Sequence, residues 1–109
     1  MRVLLPKSYR TALRRERANG VCITPGKSGY LYVFLPSQFK RYVNKGANKI
    51  PSPVTRRQFL REFLAMTREV APDDRGRIYI PAVLREFAGI KTKISIEEAE
   101  DRIRICNKA

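Results

Sequence analysis

A nine-residue pattern near the start of the chain recurs 75 residues later, and this repetition constrains the fold more than any other feature. The pattern reads arginine, a β-branched residue, any residue, an aliphatic residue, proline, three further residues and a second arginine. Its first copy is Arg2–Arg10 and its second copy is Arg77–Arg85. Because the residues after each copy are also similar in type, the chain is expected to contain two related structural units.

Each copy predicts the order strand, helix, strand, strand. In the second copy, Arg77–Ile80 alternates polar and apolar residues as a half-buried strand does, and Pro81 suits the first turn of a helix. That helix is predicted to end near Gly89, as its counterpart in the first copy is predicted to end near Gly20. Two alternating apolar runs then predict a β-hairpin in each copy.

The segment between the copies predicts two helices. The first helix spans Pro36–Gly46, and the second spans Thr55–Arg68. The residues that the first helix is expected to bury are Phe39, Tyr42 and Val43. The residues expected on the core side of the second helix, paired four positions apart, are Phe59, Phe63, Leu60 and Leu64.

The charge of the chain indicates the class of its partner. Lysine and arginine number 23 and acidic residues 10, so the net charge is +13 on 109 residues. The excess is +5 in residues 1–20, +7 in residues 21–70 and only +1 in residues 71–109. A field of this sign attracts polyanions, and displacement of counterions from a phosphate backbone adds affinity. The alternative is a solvated basic surface that serves solubility.

Several other functions are disfavoured by composition. The chain has no histidine, and its two cysteines, Cys22 and Cys106, are isolated in apolar runs, so no metal site, cofactor or catalytic constellation is expected. Gly26-Lys27-Ser28 has the wrong spacing after Gly20 for a phosphate-binding loop, and a strand-like segment follows it. No apolar segment approaches the roughly 20 residues that cross a bilayer, so a membrane partner is not expected.

The second copy also carries a charged turn whose residue types have physical roles. In Asp73-Asp74-Arg75-Gly76-Arg77, Gly76 allows a tight turn or a positive φ, and Asp73 is expected to accept hydrogen bonds that hold the loop. Guanidinium groups beside such a bend are able to reach phosphate oxygens or guanine edges. Asp73, Gly76 and Pro81 are therefore predicted to shape the loop. The alternative is an ordinary hairpin with solvated arginines.

Residues 73–90 resemble the D-x-x-G-R-[IV]-x-[IL]-P-x-x-[LFY]-R-x-x-x-G-[IL] core of AbrB-like swapped-hairpin DNA-binding domains. Two such units, joined by helices around Arg57-Gln58-Phe59-Leu60-Arg61-Glu62-Phe63, are similar to the MraZ family. The resemblance implies an α+β fold, with duplicated AbrB-like swapped-hairpin β-barrel units and intervening α-helices. The corresponding parts are a first half-repeat at 1–35 whose N-terminal strand is missing, connecting helices at 36–68 and a second repeat at 69–109.

The resemblance also implies a function. Members of the family are bacterial transcriptional regulators without catalytic activity that bind repeated promoter boxes as rings of several subunits. The family's DNA-contacting basic residues, carried over to matching positions, are Arg2, Lys7, Arg10, Arg75, Arg77 and Arg85. A sheet edge left open by the missing strand is expected to be covered in a homo-oligomer or a larger complex. The expected location is the cytoplasm, at the nucleoid, with an organelle as the alternative.

Two other functions stay open at this stage. The charge of residues 1–70 also suits a structural component of a ribonucleoprotein that binds RNA through the same fold. An AbrB-type antitoxin would bind operator DNA and a toxin, although antitoxins usually carry a disordered tail where this chain has helices. DNA is the preferred nucleic acid and RNA the alternative.

Overall fold

The computed structural model describes residues 1–108, which form seven strands and four α-helices. The strands are β1 (Arg2–Leu4), β2 (Val21–Pro25), β3 (Leu31–Phe34), β4 (Arg68–Val70), β5 (Arg77–Tyr79), β6 (Ile94–Glu98) and β7 (Ile103–Asn107). The helices are α1 (Lys7–Arg15), α2 (Pro36–Ala47), α3 (Pro53–Ala65) and α4 (Ala82–Phe87). The order strand, helix, strand, strand that the sequence predicts for each copy is confirmed, and the fold is α+β.

The strands form two antiparallel sheets that combine both copies of the repeat. The larger sheet has the order β4-β2-β3-β7-β6, so that β3 of the first copy lies beside β7 of the second. The smaller sheet pairs β1 with β5, with Val3 opposite Ile78. These two residues occupy the same place in the repeat, so the pairing is centred on equivalent residues. The two copies therefore meet across an approximate twofold axis.

The core is built from the same positions in both copies. Each pair of equivalent residues is buried: Val3 with Ile78, Leu5 with Ile80, and Tyr9 with Leu84. The hairpin strands add further apolar side chains that the solvent does not reach, Val21, Ile23, Leu31, Val33, Ile103 and Ile105. Burial of one such aliphatic side chain stabilises the fold by about 1.5–3 kcal/mol. The apolar residues that repeat in the sequence are thus the residues that form the core in both copies.

The prediction that Gly20 ends the first helix is wrong. The helix ends earlier, where Arg17 takes a positive φ of 54° and the Ala18 N–H donates to the Leu13 carbonyl. Gly20 instead lies against the backbone of β4, and a Cβ atom there would stand 2.4 Å from the Val70 carbonyl oxygen. The glycine is needed for the close approach of two chain segments, which a local pattern does not reveal.

The connecting helices also differ from the prediction. The second of them ends at Ala65, and Arg68 begins β4, because residues 68–70 pair with β2. Leu64 is 45% exposed, although its spacing predicts a core position. In α2 the expected core residues are half-buried, and they are Phe39, Tyr42 and Val43. Helix α3 packs mainly on α2 and so lies outside the main core.

The division of the chain at residues 35/36 and 68/69 stays a prediction. Within residues 1–108, no helix has both the length and the apolar character required to cross a bilayer.

Candidate nucleic-acid interface

The loop between β4 and β5 is held by a single carboxylate. One oxygen of Asp73, Oδ1, accepts the backbone N–H groups of Arg75 and Arg77, each at 2.9 Å. The Asp73 N–H donates to the Arg77 carbonyl at 2.8 Å, which closes the turn. Gly76 has a φ of +76°, as the sequence predicts. Arg75 is therefore displayed, exposed, at the tip of a rigid turn.

The first copy of the repeat contributes directly to this loop. The Leu5 N–H donates to the Gly76 carbonyl at 2.9 Å. The side chain of Arg10, on α1, crosses the loop so closely that a Cβ atom on Gly76 would stand 2.5 Å from Arg10 Cδ. The glycine is thus favoured by its backbone conformation, and a side chain there would also displace the Arg10 side chain that lies over it.

Arg2 and Arg77, one from each copy, share the same carboxylate. Arg77 Nε lies 3.1 Å from Asp73 Oδ2, and Arg2 Nη1 lies 3.8 Å from that oxygen. The hydrogen bond from the Arg77 backbone, with help from the Arg75 backbone and the Arg77 guanidinium, lowers the pKa of Asp73 below its ordinary value. The carboxylate is therefore charged at neutral pH, holds the Arg77 guanidinium by a hydrogen bond and attracts that of Arg2.

Tyr79 completes the cluster and was not predicted as a site residue. Its hydroxyl accepts a hydrogen bond from Arg85 Nη2 at 3.0 Å. The guanidinium carbons of Arg85 and Arg2 lie 5.5 and 5.9 Å from its ring centroid, within the range of cation–π interaction. Tyr79 follows Arg77 by two positions on β5, so strand alternation places both side chains on one face. That spacing is the sequence signal that would have found it.

The structure brings together five of the six predicted basic residues. Arg2, Arg10, Arg77 and Arg85 belong to the cluster through their side chains, and Arg75 belongs to it through its backbone N–H. Lys7 is exposed at the first position of α1, and it forms no hydrogen bond or ion pair with the cluster within the described chain. We refer to these five arginines together with Asp73 and Tyr79 as the arginine cluster.

Pro81 positions the arginine that follows it in α4. It is the N-cap of this helix, where its carbonyl accepts the backbone N–H groups of Leu84 and Arg85, each at 3.0 Å. The proline thus precedes the first turn and does not lie within it. Its fixed φ sets the direction in which α4 leaves β5 and hence places Arg85 beside Tyr79.

The arginine cluster suits the recognition of an anion. The five arginines outnumber the two carboxylates of the loop, Asp73 and Asp74, and among the described residues only Arg2 and Arg77 form ion pairs with Asp73, so a positive charge remains. Planar guanidinium groups form paired hydrogen bonds with phosphate oxygens or with the O6 and N7 atoms of guanine. Across residues 1–108, no group of three or more cysteine, aspartate or glutamate side chains is arranged to hold a metal ion.

The class of protein follows from this arrangement. Two strand-helix-strand-strand repeats, joined through their first strands and with a charged Gly-Arg turn before the first strand of the second repeat, define an AbrB-like fold. A family model described as "MraZ protein, putative antitoxin-like" matches residues 63–108.

Curated relatives extend this match over almost the whole chain. The transcriptional regulator MraZ of Kocuria rhizophila is 33% identical over 108 residues, which are 99% of this chain and 73% of the relative. The proteins of the same name from Saccharopolyspora erythraea and Micrococcus luteus are 35% and 31% identical, and the matches cover 97% and 95% of this chain and 71% and 70% of the relatives. The chain belongs to the MraZ family.

Proposed function

We propose that this protein is a transcriptional regulator that binds duplex DNA through the arginine cluster. The observation that carries the proposal is the β1–β5 pairing, which places arginines of both repeats around one loop held by Asp73. The relatives with which it shares about a third of its residues bear the name of transcriptional regulators. Its activity is binding without catalysis, and its location is the cytoplasm, at the nucleoid.

The geometry supports base reading as well as phosphate binding. Arg75 projects from a turn whose backbone is fixed by two hydrogen bonds, so little backbone freedom is lost when its side chain contacts a base. Arg2 and Arg77 are tethered to Asp73 and are suited to phosphate contacts that set the register on the duplex. Lys7, exposed at the first position of α1, adds to the positive field and is proposed to contact phosphate.

We further propose that the protein acts as an oligomer on repeated promoter boxes. The strands β4 and β6 form the two edges of the larger sheet, and sheet edges favour association with another chain. When one arginine cluster of an oligomer is bound, the next is held near the neighbouring box. The high effective concentration of the second arginine cluster near its box then raises the overall affinity of the oligomer for the promoter without new contacts.

A structural role in a ribonucleoprotein is the second candidate. Its support is the net positive charge of +7 in residues 21–70. None of these residues belongs to the arginine cluster, so duplex binding by the cluster uses this charge only as a long-range attraction. Such a spread of charge suits a broad phosphate surface more than a single groove.

The experiment that tests the proposal compares affinities for selected ligands. Duplex DNA and structured RNA are each selected from random libraries by the wild-type protein, and dissociation constants are measured at one salt concentration. Arg75→Gln is expected to weaken binding of the selected duplex by about 1–3 kcal/mol, as for loss of a base-reading arginine. Arg57→Gln, an exposed change on α3, is the matched control and should leave the affinity near the wild-type value.

Two results would contradict the proposal. One is equal affinity of Arg75→Gln and wild type for the selected duplex. The other is a wild-type preference for structured RNA over the best duplex, which would favour the ribonucleoprotein role.

A further inference from the structure

A cavity on another part of the surface combines aromatic walls with a cationic rim. It lies where α2 and α3 meet the turn between β6 and β7, and its volume is about 440 Å³. Ligand sites for small molecules commonly have volumes of about 300–1,000 Å³. The cavity shares no residue with the arginine cluster. The transcription function proposed above therefore does not account for it.

Stacked rings form the wall of the cavity. Phe34 and Tyr42 are stacked with their centroids 4.7 Å apart, and Phe59 and Phe63 are stacked at 5.8 Å. Tyr42 also contacts Phe63 at 5.8 Å, so the rings of the sheet, of α2 and of α3 form one continuous aromatic group. Phe63 is also stacked on Phe39 at 6.1 Å, and both Phe59 and Phe63 are partly buried and line the cavity, so the ring surface that they expose lies at its wall. A flat apolar ligand would find stacking partners here.

Arg102 is fixed against this aromatic wall. Its guanidinium carbon lies 4.7 Å from the ring centroid of Tyr32 and 5.0 Å from that of Tyr42. Asp101 accepts from Arg102 Nε at 3.0 Å and from Nη2 at 2.7 Å. The guanidinium group is thus held between these rings by cation–π contacts and by a bidentate ion pair with Asp101.

The rim of the cavity is strongly positive. Its basic residues are Lys27, Arg41, Lys45, Lys49 and Arg102. Its acidic residue is Asp101, so five positive charges face one negative charge. Aromatic packing alone requires no such rim, because like charges around an apolar cavity repel one another and add no stability. The rim therefore indicates a ligand with an anionic part as well as a flat part.

We propose that this cavity binds a nucleoside phosphate, with the base packed against the exposed ring surface of Phe59 and Phe63 and the phosphate at the lysines of the rim. Two ligands carry this combination of a base and a phosphate: a free nucleotide, and one unpaired nucleotide of a single-stranded nucleic acid. Base stacking on aromatic side chains and phosphate binding by lysine are the two interactions that such ligands use.

The test uses isothermal titration calorimetry on the full chain at one salt concentration. The four ligands are ADP, adenosine, orthophosphate and a single-stranded oligodeoxyadenylate of eight nucleotides, roughly the length that a single-strand groove holds. Phe63→Leu removes the stacking ring and keeps an apolar side chain. Lys49→Gln removes one exposed charge of the rim and is not expected to affect folding. Arg57→Gln on the same helix pair and Arg75→Gln in the arginine cluster are the controls.

The proposal predicts that ADP binds more tightly than adenosine or orthophosphate. Phe63→Leu should weaken ADP binding at least about fivefold, the lower end of the effect of losing a stacking ring. Lys49→Gln should weaken it about twofold or more, and both controls should match the wild type. If binding of the oligonucleotide is weakened by Phe63→Leu and Lys49→Gln while ADP does not bind, the ligand of the cavity is a nucleotide of a single-stranded nucleic acid.

Three outcomes would overturn the proposal: no binding of ADP or of the oligonucleotide at millimolar concentration, equal affinity for orthophosphate and ADP, or affinities unchanged in both Phe63→Leu and Lys49→Gln. Circular dichroism and duplex DNA affinity show whether Phe63→Leu is folded, and Lys49→Gln decides the result if it is not. A failure here leaves the duplex DNA measurement untouched, so the two proposals fail separately.

Discussion

At the scale of single residues, Asp73 and Gly76 determine how the arginines are presented. Asp73 accepts hydrogen bonds from two backbone N–H groups and from the Arg77 guanidinium, and it attracts the Arg2 guanidinium, so its charge acts on both repeats. Gly76 permits the turn that these bonds close, and it leaves the space that Arg10 occupies. The interface therefore depends on one acidic residue and one residue without a side chain.

The substitution Gly76→Ala, compared with Gly89→Ala, separates the cost of backbone strain at a positive φ from the cost of displacing the Arg10 side chain. Alanine at a φ of +76° costs about 1 kcal/mol of stability, and its Cβ also displaces Arg10. We expect a lower free energy of unfolding and weaker duplex binding. Gly89→Ala is the matched control, because Gly89 has a φ of +63° with nothing within 4 Å of an added Cβ. Equal losses in the two variants would show that the Arg10 contact has no energetic role.

Acidification should reveal the contribution of Asp73. Its pKa is lowered in the folded state, chiefly by the Arg77 backbone hydrogen bond, so its stabilisation is fully present above its ordinary pKa of 3.8. The stabilisation is lost as the pH falls through the lower folded-state value. Urea unfolding from about pH 5 to about pH 2.5 should show a smaller loss of stability in Asp73→Asn than in the wild type. Parallel curves would contradict this assignment.

At the scale of elements, β4 shows how tertiary pairing overrides a local helical pattern. Residues 55–68 have helical spacing, yet the helix ends at Ala65 because the next residues pair with β2. The Arg68 side chain then donates to the Ala65 carbonyl at 2.8 Å and so caps the helix from which the strand departs. The end of α3 is therefore decided by the pairing of β4 with β2, together with the close approach of Gly20 to Val70.

Gly20→Ala should accordingly weaken the β2–β4 pairing. The added Cβ would stand 2.4 Å from the Val70 carbonyl oxygen, a backbone atom that moves only if the strand moves. We expect a loss of about 1–3 kcal/mol in the free energy of unfolding, as for overpacking of a close contact. Hydrogen exchange should also accelerate in residues 68–70. Gly29→Ala, at a φ of +79° in open space, has backbone strain without a close contact, so it should leave exchange in residues 68–70 unchanged; exchange rates unchanged by Gly20→Ala would refute the prediction.

At the scale of the whole molecule, the two repeats form one cooperative structure. The larger sheet places β3 beside β7, and the smaller sheet pairs the equivalent residues Val3 and Ile78. Neither repeat completes its core alone, because the buried positions of one copy pack against those of the other in a single cluster. The arginine cluster lies at this junction, so binding is coupled to the integrity of both repeats.

Ile78→Ala tests this coupling. Ile78 is 1% exposed at the centre of the β1–β5 pair, and its truncation should cost about 2–5 kcal/mol of stability. Unfolding should remain a single transition, with the same midpoint by far-ultraviolet circular dichroism and by tyrosine fluorescence. Two separated transitions would show that the repeats unfold independently. Val83→Ala, at a 37% exposed position of α4, is the control and should lose much less.

The sequence by itself determined the features that repeat along the chain. The equivalent apolar residues Leu5 and Ile80 indicate two copies of one unit, and Asp73 with Gly76 indicates a rigid charged turn. Such features are local, because hydrophobic period, turn chemistry and charge act over a few residues.

Only the tertiary structure decided which distant residues meet. The contact of Arg10 with Gly76, the place of Tyr79 between Arg2 and Arg85, and the aromatic cavity all join segments far apart in the chain. The physical reason is that strand pairing and core burial are properties of the whole fold, so a short pattern predicts each element but not its neighbour.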